Sequence, residues 1–356
     1  MDICWDMDNL LPANHVREFD MKEFEQPITP GDFKCLVEAL HFNTHFTGFV
    51  ALDYKLDKDA MQLIADLLEV NEKIENLVLQ NAAGTGAGFE QIGQAISRNK
   101  KSAVNRVDWS SNRVEDKGIS ALGSALATLS HGVSYLNLDH GDATKKGTVV
   151  LCNALKTNAH MARNLQTLNL SYNRLDPEGS NSLGGFLSTP NVVKDLNLAY
   201  TNANLEVVLP ALVRGSAELI TLNVSGNKIT PNAAAQLKTY LSSCSKLKEL
   251  NLADTGIQVP NLREVLKAII ANKYLSNLNL IVSSNRLGVL GANMINGIAE
   301  EIASIEKLDL SDNEFTDEGL GILAEGLCKC YSLKELSIAD NFTKGNYIMR
   351  KSLILP

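Results

Sequence analysis

Apolar residues along the chain fall into one recurring frame, Leu-x-x-Leu-x-Leu-x-x-Asn-x-Leu. The fullest copies are Leu165-Gln-Thr-Leu168-Asn-Leu170-Ser-Tyr-Asn173-Arg-Leu175, Leu219-Ile-Thr-Leu222-Asn-Val224-Ser-Gly-Asn227-Lys-Ile229 and Ile305-Glu-Lys-Leu308-Asp-Leu310-Ser-Asp-Asn313-Glu-Phe315. The second apolar position falls at Phe19, Phe49, Leu77, Val107, Leu136, Leu168, Leu196, Leu222, Leu250, Leu280, Leu308 and Leu336, about 28–29 residues apart. The first two copies are degenerate, and the Leu280 register is chosen because it restores Asn285-Arg-Leu287. Inside the frame, apolar and polar positions alternate as in a strand. Between frames the apolar spacing changes to three and four, as over Asp57–Val70, Pro231–Leu241 and Asp317–Leu327, which predicts helices. Asp176-Pro177, Thr230-Pro231 and Val259-Pro260 place proline in a first helical turn.

This period predicts an α/β leucine-rich repeat solenoid, a horseshoe of the ribonuclease-inhibitor-like class with a parallel concave sheet and convex helices. One repeat domain is expected over 16–341, between an N-terminal flank at 1–15 and a short C-terminal tail at 342–356. The ninth frame position holds Asn112, Gly141, Asn173, Thr201, Asn227, Thr255, Asn285, Asn313 and Asn341. Backbone groups turn inward after each strand and need partners. An amide offers both donor and acceptor, so Asn112, Asn173, Asn227, Asn285, Asn313 and Asn341 are expected to form a structural ladder. From 173 to 285 Asn alternates with Thr, which predicts two repeat types in alternation.

Composition narrows the function. Lys plus Arg number 33 against 41 Asp plus Glu, a net charge of −8 over 356 residues. That sign argues against nucleic acid as the main partner, and no apolar run is long enough to insert in a membrane. Residues 1–8 carry neither a basic region nor an apolar stretch, so no signal peptide is expected. The six cysteines (Cys4, Cys35, Cys152, Cys244, Cys328, Cys330) are sparse, and reduced thiols in the cytoplasm are expected.

Candidate chemistry is thin. Gly84-Thr-Gly86-Ala-Gly88-Phe89 has the setting of a dinucleotide loop, but Phe89 stands where the third glycine belongs. His41 and His45 lack an intervening acid, and Asn43-Thr44 marks the end of the helix. Cys328-Lys-Cys330 lacks a second pair. Lys100-Lys101 and Lys145-Lys146 are expected on turns, in solvent. No nucleophile–base arrangement assembles, so a non-enzyme is expected, with no catalytic, metal or cofactor-binding residues.

The concave face says more. Position eight reads His140, Tyr172 and Tyr200 on successive coils, with Tyr135 nearby at position three. These four are the candidate partner contact, because exposed aromatic groups are enriched at binding hot spots; the competing reading is an exposed packing ladder. Position five is a polar column from Asp108 to Asp309. In the last four coils acids outnumber lysines, which favours a basic partner segment.

The chain resembles the leucine-rich repeat domain of the CARMIL family, linkers of capping protein and myosin-I. The resemblance rests on Trp5-Asp6-Met7-Asp8, Arg17-Glu18-Phe19, the stretch from Phe186-Leu-Ser-Thr-Pro-Asn191 through Leu196-Asn-Leu-Ala-Tyr-Thr201 to Leu212-Val-Arg-Gly215, Ile298-Ala-Glu-Glu-Ile302 and Ile338-Ala-Asp-Asn-Phe342. It implies a non-catalytic scaffold for actin-regulatory proteins in actin filament organisation and cell migration, located in the cytoplasm, at the cytoskeleton or the leading-edge membrane. It also implies that the family's lipid-binding domain and capping-protein-binding tail are absent here, leaving the scaffold part alone. The alternative is the repeat domain of another cytosolic protein: an inhibitor, an innate immune sensor or a small-GTPase activator.

Overall fold

The computed structural model describes residues 15–24 and 28–341, and the backbone of 352–354. Trp5-Asp6-Met7-Asp8, Phe342 and most of the flanks at 1–15 and 342–356 lie outside these residues. The chain divides into two compact units after Phe186.

In the first unit, β1 (Glu18–Asp20), β2 (Gly48–Val50), β3 (Asn76–Val78), β4 (Arg106–Asp108), β5 (Tyr135–Asn137) and β6 (Thr167–Asn169) lie parallel in chain order. Helices α1 (Pro30–Leu40), α2 (Lys58–Val70), α3 (Gly86–Arg98), α4 (Glu115–Leu126), α5 (Lys145–Thr157), α6 (Ala159–Asn164) and α7 (Asp176–Leu187) follow the successive strands. In the second unit, β7 (Asp195–Asn197), β8 (Thr221–Asn223), β9 (Glu249–Asn251), β10 (Leu278–Ile281), β11 (Ile305–Asp309) and β12 (Glu335–Ser337) are again parallel. They alternate with α8 (Leu205–Gly215), α9 (Pro231–Ser243), α10 (Val259–Ala271), α11 (Gly288–Asn296) and α12 (Asp317–Leu327). A last strand, β13 (Ser352–Ile354), runs antiparallel along β12.

The frame fixes the register. Phe19 pairs with Phe49, Phe49 with Leu77, Leu77 with Val107, Val107 with Leu136 and Leu136 with Leu168. In the second unit Leu250, Leu280, Leu308 and Leu336 continue in the same way. Each of these residues is buried, while its neighbours on the strand mostly stay half-exposed. One face of each sheet is therefore core and the other is open. Burying each such side chain stabilises by about 1.5–3 kcal/mol, and no coil could bury its row alone. The Leu280 register holds, with a shift in pairing between Leu278 and Asn279. The long spacing between Leu136 and Leu168 is taken up by α6.

Helix starts follow local chemistry. Asp57 accepts the Ala60 amide at 2.8 Å, and Thr230 accepts that of Ala233 at 3.0 Å with Pro231 in the first turn. One expectation fails: Lys145-Lys146 opens helix α5 rather than sitting on a turn. Two cations at a helix N-terminus oppose the dipole, and a carboxylate from the preceding coil offsets them. Asp116 accepts the Thr144 amide at 2.9 Å, the Gly147 amide at 3.0 Å and the Thr144 hydroxyl at 2.6 Å. This is the reciprocal work of a capping box, supplied from another helix. Position 147 must be glycine, since a Cβ there would lie 2.8 Å from the Asp116 carboxylate.

A second set of asparagines, missed in the sequence, closes the helix-to-strand turns. Asn71 donates to the Leu40 carbonyl at 2.7 Å, and Asn99 to those of Leu68 and Asn71 at 2.9 and 2.7 Å. Asn158 and Asn272 do the same in their coils. Their signal was available: Asn43, Asn71 and Asn99 stand at the repeat spacing just before each strand.

Candidate functional site

At the strand-to-helix turns the side-chain amides pair buried backbone groups. Asn112 donates to the Leu79, Trp109 and Ser110 carbonyls and accepts the Ala82 amide at 2.9 Å. Asn173 reaches Leu138 at 2.6 Å, Asn285 reaches Leu252 at 2.9 Å, Asn313 reaches Val282 at 2.9 Å and Asn341 reaches Leu310 at 3.2 Å. Where threonine replaces asparagine, its hydroxyl donates to its own turn and to the next asparagine: Thr255 bonds Leu252 and Asn285 at 2.9 and 3.1 Å. Gly141 leaves room for Asn173, whose Oδ1 would stand 2.7 Å from a Cβ there.

The residue before each ladder position takes a left-handed backbone. Most coils place small or polar residues there: Asn81, Ser111, Gly226, Asp254, Ser284, Asp312 and Asp340. His140 (φ 52°), Tyr172 (φ 57°) and Tyr200 (φ 54°) are the aromatic exceptions. Histidine adopts this region comparatively often, whereas each tyrosine pays about 1–2 kcal/mol for it. The sequence showed the aromatic residues but not the strain, because nothing in a tyrosine announces a positive φ.

In the first unit His140 stacks on Tyr172, ring centroids 3.8 Å apart and planes 19° from parallel. The imidazole Nδ1 donates to Asp139 Oδ2 at 2.8 Å, and the Ser171 hydroxyl donates to Asp139 Oδ1 at 2.6 Å. Tyr172 remains 46% exposed. On β5 the Tyr135 ring lies under the Arg106 guanidinium, 3.4 Å from carbon to centroid, and its hydroxyl faces Asp108 Oδ2 at 3.3 Å. Burial, and then the Asp108 charge, push the Tyr135 hydroxyl above the usual phenol range. Tyr200 belongs to the second unit. It packs over Gly226, where any Cβ would meet its ring at 2.3 Å.

The remaining candidates resolve into packing. Gly84-Thr-Gly86-Ala-Gly88 is the entry to α3: Cβ atoms at Gly86 and Gly88 would strike Glu115 and Met61. His45 Nε2 lies 2.7 Å from the Val16 carbonyl, and His41 caps α1. Cys328 and Cys330 donate to separate carbonyls, Glu325 and Ile302. Lys100 donates to the Ser97 carbonyl and Lys101 pairs with Glu72. A groove of about 610 Å³ between α3 and α4 is lined by Glu90, Gln94, Arg98, Asp116, Lys117 and Ser120. In the second unit Lys334 meets Glu306 at 3.0 Å and Lys307 meets Glu335 at 2.8 Å, so part of the acidic surplus is internally paired. Among the described residues no cluster suits a metal, and no helix is long and apolar enough to cross a membrane.

The family model for the CARMIL family, LRR domain, matches residues 1–354. Protein CARMIL of Dictyostelium discoideum is 36% identical over 355 residues, 99% of this chain and 34% of that protein. The Capping protein, Arp2/3 and myosin-I linker protein 3 of Rattus norvegicus is 30% identical over 96% of this chain and 25% of its own length. A Rho GTPase-activating protein of Dictyostelium discoideum is 28% identical over 96% of this chain and 27% of that protein. The chain thus spans between a quarter and about a third of these relatives. Its coils, their register and this match agree: the chain belongs to the CARMIL family, through its leucine-rich repeat domain.

Proposed function

We propose that the chain is a non-catalytic protein-interaction scaffold in actin regulation, with a protein partner on the open face around Tyr135, His140 and Tyr172. The observation that carries this reading is the His140–Tyr172 stack. It is exposed, ordered by Asp139 and Ser171, and includes in Tyr172 a bulky residue that the left-handed backbone there disfavours. Strain held at an exposed position points to use rather than packing. The relatives' names, with capping protein, Arp2/3 and myosin-I in them, support the setting in actin regulation; this reading extends it to capping-protein regulation, actin filament organisation and cell migration, in the cytoplasm near the cytoskeleton or the leading edge. Tyr200, at the matching position of the second unit, is proposed as a candidate contact of that unit by itself.

A photo-crosslinking amino acid at position 172, expressed in motile cells, tests it. Adducts with actin-regulatory proteins are expected, and Tyr172→Ala should weaken binding of the captured protein by about 2 kcal/mol or more. Adducts equal to those from an exposed convex position, such as Lys117, would remove the open face from the function. A second reading, activation of a small GTPase, draws on the Rho GTPase-activating relative. Faster GTP hydrolysis by a panel of small GTPases, with purified chain added, would favour it over the scaffold.

A further inference from the structure

Two helix-to-strand turns of the first unit leave an apolar pair in solvent. Asn43 and Asn71 stand at the repeat spacing, and the residue before each is apolar, Phe42 and Val70. In the next coil the same position is Arg98, paired with Glu69 at 2.6 Å. Phe42 is 85% exposed and Val70 44%. Both line one groove of about 290 Å³ between the C-terminal ends of α1 and α2, near the lower end of ligand pockets at about 300 Å³. Apolar residues exposed singly are ordinary on a protein surface; two that converge on one groove mark an interaction site.

Hydrogen bonds hold the groove in shape. Asn71 Nδ2 donates to the Leu40 carbonyl at 2.7 Å and to the Asn43 carbonyl at 3.4 Å, which ties the two coils together beneath it. Asn43 Oδ1 accepts the His45 and Phe46 amides at 2.8 and 3.0 Å, and Asn71 Oδ1 accepts those of Lys73 and Ile74 at 2.7 and 2.9 Å. The His41 ring stands edge-on to Phe42, with centroids 6.4 Å apart. A visitor would therefore have little backbone to order on binding, and such ordering is a main cost of association.

Charge selects the visitor. Glu72 lines the groove but is held by Lys101 at 2.8 Å. Lys73, also in the lining, pairs with no carboxylate among the described residues. One coil on, at the repeat spacing from Glu72, Lys100 donates to the Ser97 carbonyl at 3.0 Å and likewise meets no carboxylate among the described residues. These turns thus carry positive charge that is not neutralised, although the chain as a whole stands at −8. The complementary charge on a partner is negative.

We infer that the Phe42–Val70 groove docks a partner protein through an apolar side chain flanked by carboxylates, on an acidic amphipathic segment. The groove lies on the helix-to-strand turns rather than on the strands of the open face, so this contact stands apart from the one proposed there.

The test uses the whole chain and three capped tetrapeptides: Asp-Leu-Leu-Asp, Lys-Leu-Leu-Lys and Asp-Ser-Ser-Asp. The NMR signals of the Val70 methyl groups are followed during titration. Saturable shifts are expected with Asp-Leu-Leu-Asp, and at least tenfold weaker binding with each of the others, since one lacks the acidic charge and the other the apolar side chains. Phe42→Ser should abolish the saturable shifts and keep the fold, because the Phe42 ring stands almost wholly in solvent. Lys73→Glu should reverse the order of the acidic and basic peptides. Equal binding of either control peptide would overturn the proposal, as would no saturable shift with Asp-Leu-Leu-Asp at millimolar concentration, or shifts unchanged in Phe42→Ser. Sedimentation of the native chain is run alongside. A dimer that Phe42→Ser converts to monomer would assign the groove to a second copy of the chain and overturn the acidic partner.

Discussion

Thr201 and Asn227 share a hydrogen bond between coils, Thr201 Oγ1 donating to Asn227 Oδ1 at 3.2 Å. The same oxygen accepts the Ala203 amide at 2.8 Å, and Asn227 Nδ2 donates to the Leu198, Val224 and Ser225 carbonyls at 2.7, 3.0 and 3.1 Å. One amide thus pairs three carbonyls, an amide and a hydroxyl from two coils, all in a region closed to water. The alternation of Asn and Thr follows: an asparagine spans two turns, and the threonine before it closes its own turn and donates to that asparagine.

Asn227→Ala would leave these groups unpaired together. A single buried orphan costs about 1–3 kcal/mol, so a loss of about 3 kcal/mol is expected for Asn227→Ala and about 1 kcal/mol for Thr201→Val. Urea denaturation of both variants measures this. Similar midpoints for the two would mean that the amide is not the shared element.

Gly93 sets two helix effects against each other. Replacing glycine by alanine inside a helix ordinarily stabilises by about 1 kcal/mol. Here a Cβ would sit 2.8 Å from the Ala121 backbone, the Ala121 Cβ and the Leu122 nitrogen. Backbone cannot swing aside as a side chain does, and overpacking of this kind costs about 1–3 kcal/mol. Gly93→Ala should therefore destabilise, with α3 and α4 losing hydrogen-exchange protection together. A gain in stability would show that the helices separate at little cost.

Asp116 gives a pH signature. Burial raises its pKa, but hydrogen bonds from the Thr144 hydroxyl, the Thr144 amide and the Gly147 amide outweigh that and hold it below the ordinary 3.8. A lowered folded pKa stabilises above the unfolded value and is lost as pH falls through the folded one. The stability difference between the native chain and Asp116→Asn should stay level from pH 7 to 5 and shrink below about pH 4. A difference independent of pH down to 3 would show that the carboxylate charge does not matter to the cap.

The thiols should separate by burial. Cys152 is fully buried and pushed up to about 12, and Cys244 up to about 11, both chiefly by loss of hydration. Cys35 and Cys328 are exposed. Since the thiolate is the reactive form, iodoacetamide at pH 8 should label Cys35 and Cys328 to completion while Cys152 stays unmodified. Peptide mass spectrometry reads the sites, and early labelling of Cys152 would mean that α5 opens in the native state.

How far the fold was legible depended on periodicity. The strand centres from Phe19 to Leu336 could be placed because each recurs in phase, and Leu280 could be rescued by Asn285 alone. The cap of α5 could not, because Asp116 and Gly147 stand in different coils and neither is part of the frame. For the same reason nothing near Lys145-Lys146 in the sequence marks them as a helix start. At the candidate site the aromatic residues form a column legible in the sequence, but the pairing of His140 with Asp139 and the left-handed backbone arise only from how the turns fold.

Tyr172 tests whether its column is packing or function. Asparagine tolerates the left-handed region, so Tyr172→Asn should relieve about 1 kcal/mol of backbone strain. It also removes the ring stacked on His140, and aromatic pairs contribute about 0.5–1.5 kcal/mol. The two effects nearly cancel, and stability should change by less than about 1 kcal/mol while partner capture falls steeply. Thermal unfolding and the crosslinking partner's affinity, measured on the same preparation, separate the cases. A loss of more than about 2 kcal/mol in stability with affinity intact would make the stack a structural ladder, and the contact surface would then have to be sought among the polar positions of the open face.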